Sequence, residues 1–150
     1  MTIRTLPDIV RALSEFLRDD LDVADLVEDR VYSALPTSPT FPCVRLSRLG
    51  GQMRTAPAYH LESSLIQVEA LGGSRHDAWR IAETCRAVVV QRFVGTVPVG
   101  DSTAVVSIAD VGGIREDTVK SLPKNENGTE RHRAHFDAVI YAHPSPQAGS

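Results

Sequence analysis

The segment from Phe41 to Val90 constrains the fold more than any other. Cys43 to Leu49 reads as a strand that Gly50-Gly51 brings to an end, and Gln52 to His60 is a polar, proline-containing loop. Leu61 to Leu71 reads as a second strand, with Ile66, Val68 and Ala70 on one face and Gln67 and Glu69 on the other. Leu71-Gly72-Gly73-Ser74 then turns tightly into a long helix over about Arg75–Phe93. Ala78, Ile81, Ala82, Cys85, Val88 and Val89 give that helix a broad apolar face, Ser74 is a natural N-cap, and Asp77 sits where the helix dipole favours an acid. Two strands joined by about ten residues predict an antiparallel hairpin with an extended tip. Trp79 flanks the apolar stripe and is expected to pack against the protein.

The remaining elements arrange themselves around this unit. Ile9, Leu13, Phe16 and Leu17 recur at helical spacing, so a first helix is expected over about Leu6–Asp19, with Thr5 as cap and Asp8 three residues on. A short helix over Val23–Glu28, capped by Asp22, follows, and Pro36, Pro39 and Pro42 hold an irregular connector. Gly95 to Thr103, with Pro98 and Gly100, reads as a loop, and Ala104 to Val111 as a strand. Beyond Gly112-Gly113 an extended piece covers Ile114 to Leu122. Asn127-Gly128 marks a tight turn, and Arg131 to His143 alternates as a closing strand. The sum is an α+β fold: a mostly antiparallel sheet of four to five strands, with an N-terminal helix and one long helix packed on one face. One domain over residues 1–143 is expected, with residues 144–150 as a disordered tail.

Composition narrows the function classes. The hydrophobic fraction of 42% and charged fraction of 23% are those of an ordinary globular chain, and no apolar run approaches the ~18 residues of a membrane span. A net charge of −3, with the basic residues interleaved among acids, argues against a surface that grips nucleic acid broadly. The residues from Arg115 to Arg133 illustrate the mixing and read as a solvated or protein-contacting face. Arg4, Asp8 and Arg11 interrupt the apolar residues at the N-terminus, so no secretory signal is expected. Cys43 and Cys85 read as buried free thiols.

A search for chemistry finds no catalytic pattern and leads to the expectation of no enzyme, no cofactor and no metal. His132 and His135 would share a face on a helix, but they fall in a predicted strand and point to opposite faces. No Gly-x-Ser-x-Gly or His-Glu-x-x-His occurs, and the glycines before Ser74 lack the further residues of a phosphate-binding loop. Two polar loops on a compact scaffold remain, Gln52 to His60 and Lys124 to Glu130, and loops of this kind carry binding.

Several features, taken in order, carry a resemblance across about Leu6 to His143. They are the N-terminal amphipathic helix, the short helix ending near Arg30-Val31, Pro42-Cys43-Val44 and Leu49-Gly50-Gly51. Val68-Glu69-Ala70-Leu71-Gly72, the helix with Ala78, Ile81 and Ala82, and the closing strand with Phe136, Ala138 and Ile140 complete the series. In this order they resemble the tail terminator proteins of long-tailed bacteriophages. The resemblance implies a virion protein, assembled in the host bacterial cytoplasm, that caps the tail tube in the neck region and stops its polymerisation. It implies a homo-oligomer, a hexameric ring. The tail tube protein would lie on one face of the ring and a head-completion or stopper protein on the other. DNA would pass through the lumen without sequence-specific binding, and no membrane is involved. A head-closure or head-tail joining protein of the neck is the alternative. The loop positions expected to form the interfaces are Arg48, Gln52, Arg54 and Tyr59 in the hairpin arm, and Lys124, Asn125, Glu126 and Glu130 in the second loop.

Overall fold

The structure is a computed structural model that describes residues 8–54, 61–124, 128 and 130–144; of residues 51–54, 61, 62, 108 and 144 only the backbone is described. Its elements are α1 (Ile9–Asp19), α2 (Leu21–Val27), β1 (Val31–Tyr32), β2 (Cys43–Arg54), β3 (Leu61–Gly72), α3 (Arg75–Arg92), β4 (Gly95–Val99), β5 (Ser102–Val111), β6 (Arg115–Val119) and β7 (Arg131–Pro144).

The sheet is larger than the expected four to five strands. Among the described residues it has seven, in the order β1-β2-β3-β7-β5-β4, with β6 also paired to β7. It is mixed, because β1 lies parallel to β2, and every other pairing is antiparallel. Two elements account for the difference. The expected loop after α3 contains β4, which pairs with β5 through Gly95↔Val106 to Val99↔Ser102. Pro98 is compatible with this strand because β4 is terminal in the strand order, so a missing N–H need not break a ladder. In addition, Gly50-Gly51 does not end β2. The strand takes a bulge between Arg48 and Gly50 and continues to Arg54 opposite Leu61.

β7 is the spine of the sheet. It pairs with β3 from Gly72↔His132 to Glu62↔Ala142 along one side, while β5 and β6 share the other side in turn. Where β5 hands over to β6, the Gly112 N–H donates to the Asp137 carbonyl at 2.9 Å. The closing strand extends through Pro144, one residue beyond the expected start of the tail, and residues 145–150 lie outside the described residues.

The helices begin where side-chain oxygens can meet their first N–H groups. Asp8 caps α1 by accepting from the Arg11 N–H; the expected cap, Thr5, is outside the described residues. Asp20 both closes α1, through its N–H on the Leu17 carbonyl, and opens α2 by accepting from the Asp22 and Val23 N–H groups. α2 therefore starts before the expected Asp22 cap. Ser74 caps α3 as expected, accepting from the Asp77 N–H at 3.1 Å. Gly72 permits that tight entry, since a Cβ there would stand 3.1 Å from the Ala78 nitrogen.

The core lies between the helices and one face of the sheet. Leu13, Leu17, Val44, Leu46, Ile66, Val68, Ile81, Phe93, Phe136 and Ile140 are buried in it, and Phe16 meets Phe93 edge-on at 5.1 Å. α1 packs on both terminal strands of the sheet, β1 and β4. Arg18 Nη2 donates to the Val31 carbonyl at 2.7 Å, and Glu15 accepts from the Gly100 N–H at 3.3 Å. The sheet thus coils far enough for one short helix to tie both of its edges. Trp79 departs from its expected packed position: it is 40% exposed and stacks on His76 at 6.5 Å.

Candidate interface elements

The first expected set of interface residues lies on the β2–β3 arm. Arg48 is exposed, and its Nε donates to the Gly50 carbonyl at 3.3 Å across the bulge, which leaves Leu49 51% exposed. Gln52 and Arg54 are positions of β2 opposite Ser63 and Leu61, so they stand in a strand and not in the loop where they were expected. Tyr59 lies outside the described residues.

The second set belongs to the connection between β6 and β7. Lys124 is exposed, and its carbonyl accepts from Arg131 Nη2 at 3.3 Å. Arg131 Nε also binds the Pro123 carbonyl at 3.1 Å, and its guanidinium lies 3.7 Å above the Phe41 ring. Glu130 accepts from the Thr118 hydroxyl at 2.6 Å. Asn125 and Glu126 lie outside the described residues.

The structure does not gather the two sets into one site. Arg48 to Arg54 stand level with Ala138 to Ala142 of β7, by way of β3, whereas Glu130 precedes the first residue of the same strand. At about 3.4 Å per residue the two sets are separated by roughly 30 Å along the strand. They mark opposite ends of the sheet.

Between those ends, on the sheet face turned away from the core, lies a charged network that the sequence reading did not single out. Glu69 is only 3% exposed and meets Arg45 Nη2 at 2.6 Å and Arg133 Nη1 at 3.7 Å. Arg133 also holds Asp117 through paired hydrogen bonds, which keep that carboxylate below its usual range. His135 Nδ1 lies 3.2 Å from the Gln67 amide and its Nε2 lies 3.8 Å from Asp117. Burial, with help from Arg133 and Arg115, lowers the pKa of His135. The network stitches β2, β3, β7 and β6 together, and every member is accounted for by its neighbours except the buried Arg45 Nε.

Chemistry is scarce elsewhere. Burial pushes the Cys43 thiol up to about 11 and the Cys85 thiol up to about 12, so neither is poised as a nucleophile. His132 and His135 stand on opposite faces of β7, as strand geometry requires. Among the described residues no group of three or more metal-ligating side chains converges, and no helix is long and apolar enough to cross a membrane.

The profile of the phage tail termination proteins matches residues 5–116 of the chain. No curated protein matches it. Among solved structures, a chain in the virion of a native gene transfer agent particle shares the fold. It superposes with a TM-score of 0.62 at 16% identity, over 87% of this chain and 92% of that one. The profile covers well over half of the sequence, so the chain belongs to the phage tail termination protein family, a family of structural virion-tail components and not of enzymes.

Proposed function

We propose that this protein caps the end of the tail tube as a hexameric ring, stops the tube from polymerising further and forms part of the head–tail interface. The observation that carries the reading is the family match over residues 5–116. A cap needs two working faces, one towards the tube protein and one towards a head-completion or stopper protein. The two ends of the sheet supply candidates for them: the β2–β3 arm with Arg48, Gln52 and Arg54 at one end, and Lys124 and Glu130 at the other. Tyr59, Asn125 and Glu126 are proposed as members of the same two sets. Termination is then occlusion, in which the ring covers the surface on which the next tube ring would seat, and specificity follows from surface complementarity. The net charge of −3 suits a lumen that DNA crosses without sequence-specific binding. Assembly would take place in the host bacterial cytoplasm.

The test is electron microscopy of particles from a phage lacking this gene. Overlong tails, or long tubes without heads, are the expected result. Normal-length free tails beside DNA-filled heads would instead assign the protein to head closure or head–tail joining, and normal virions would sink both roles.

A further inference from the structure

A ring of identical subunits joins two different surfaces of the same chain, head to tail. Two surfaces of this chain fit such a contact, and they lie on opposite flanks of α3.

The first is acidic. From Asp19 to Asp29 the chain carries six acids, Asp19, Asp20, Asp22, Asp25, Glu28 and Asp29, and no base. Arg92 reaches across from α3 to Asp20 and Asp22, both at 2.7 Å, and Arg30 takes Glu28. Asp19, Asp25 and Asp29 are exposed and have no ion-pair partner among the described residues. Between α2 and α3 runs a groove of about 340 Å³ lined by Asp22, Asp25, Leu26, Arg80, Glu83 and Ala87. Its walls are acidic on balance, since Arg80 is outnumbered by the carboxylates. Leu21, 81% exposed, heads α2 beside it.

The second is basic. Lys120 and Lys124 are the chain's two lysines, and they flank Leu122 and Pro123 at the end of the β6–β7 connection. Both are exposed, and neither has an ion-pair partner among the described residues. The nearby acids are already engaged: Glu116 with Arg75 at 2.9 Å, Asp117 with Arg133, and Glu130 with Thr118. The Arg75–Glu116 pair fixes β6 on one flank of α3, whereas Arg80 and Ala87 face α2 on the other. α2 also leads directly into β1 at one edge of the sheet, while β6 lies across β7 from β3. The two surfaces therefore cannot meet within one chain.

We propose that the Lys120–Lys124 segment of one copy seats in the acidic α2–α3 groove of the next, and that this contact closes the ring. The lysines meet unpaired aspartates, and Leu122 and Pro123 meet the apolar floor. The inference rests on the ring reading above.

Two measurements test it. In phage particles, carbodiimide coupling joins an ammonium to a carboxylate in contact with it. The expected product links a peptide carrying Lys120 or Lys124 to one carrying Asp19, Asp25 or Asp29. In complementation of the gene-deleted phage, K120E/K124E and D25K/D29K are each expected to lower plaque yield at least ~tenfold, by the loss expected for like charges brought face to face. Circular dichroism is expected to show both variants folded. Combining the two sets restores the charge match and is expected to restore the yield. Reversals without effect, or a combined variant as poor as either parent, would overturn the contact while leaving the ring intact. Wild-type tails that end in no six-fold ring by electron microscopy would remove the ring reading itself.

Discussion

Glu69 and His135 show how a polar residue comes to be buried on a sheet face that no helix covers. Their alternation away from Ile66, Val68 and Ala70, and away from Phe136 and Ala138, is plain in the sequence. Their burial is not, because the groups that cover them come from strands far apart in the chain: Arg45 from β2, Arg133 from β7, and Asp117 from β6. The placement has a pH consequence. Burial, reinforced by Arg133 and Arg115 and opposed by Asp117 and Glu69, holds His135 below the ordinary value of 6.5. A histidine with a depressed folded pKa takes up its proton more readily in the unfolded chain, so stability falls as pH drops below about 6.5 and continues to fall until the folded form also protonates. Asp117 contributes in the same direction only at lower pH, from about 3.8 downwards. Urea unfolding between pH 7 and 5 is therefore expected to lose stability in the wild type and much less in His135→Asn. Equal slopes in the two proteins would place the titration elsewhere.

At the scale of elements, periodicity carried the reading and glycine and proline misdirected it. α1, α3, β3 and β7 were legible because their burial repeats follow the 3.6- and 2-residue periods closely, and α3 also announces itself with Ser74 and Asp77. β4 was not legible, because Pro98 and Gly100 are loop signals that a terminal strand and its turn accommodate. Gly50-Gly51 resembles a strand end, yet a bulged strand paired along its other side tolerates it. Of the expected interface set, the loop positions were legible only as loops. That Arg48 and Lys124 stand at opposite ends of the sheet depends on the register between β2, β3 and β7, which no local pattern encodes. The junction after α2 is strained in a way that the sequence also hides. Glu28 closes the helix at φ 56°, a region that suits glycine and that costs a side chain about 1–3 kcal/mol. Its ion pair with Arg30 is exposed on the Glu28 side and contributes little. Glu28→Gly is accordingly expected to raise stability by about 1 kcal/mol in chemical denaturation, net of the extra chain entropy of glycine. A loss of stability of that size would mean that Glu28 makes a favourable interaction outweighing its backbone.

The whole molecule is held by connections that cross it from edge to edge, and these make it one cooperative unit. β7 pairs with β3 along nearly its full length and with β5 and β6 on its other side, so no strand group can leave without exposing the spine. α1 binds both terminal strands, through Arg18 on Val31 and Glu15 on Gly100, and its Leu13 and Leu17 are buried in the same core as Phe93 and Phe136. Arg92 locks the end of α3 onto the junction of α1 and α2 through Asp20 and Asp22. A chain of this size with a single core and no independent sub-core is expected to unfold in one step. Trp79 provides a local reporter on α3, and circular dichroism reports on all helices at once. Their transitions in urea are expected to coincide, with one midpoint and a slope of about 1–3 kcal/mol per molar. Because Trp79 is already 40% exposed in the folded chain, its emission should change only modestly on unfolding, so the midpoint is the informative quantity. A Trp79 transition that precedes the circular dichroism transition would mean that α3 detaches before the sheet yields, and the single-domain reading of residues 1–143 would then give way to a helix layer that separates from its sheet.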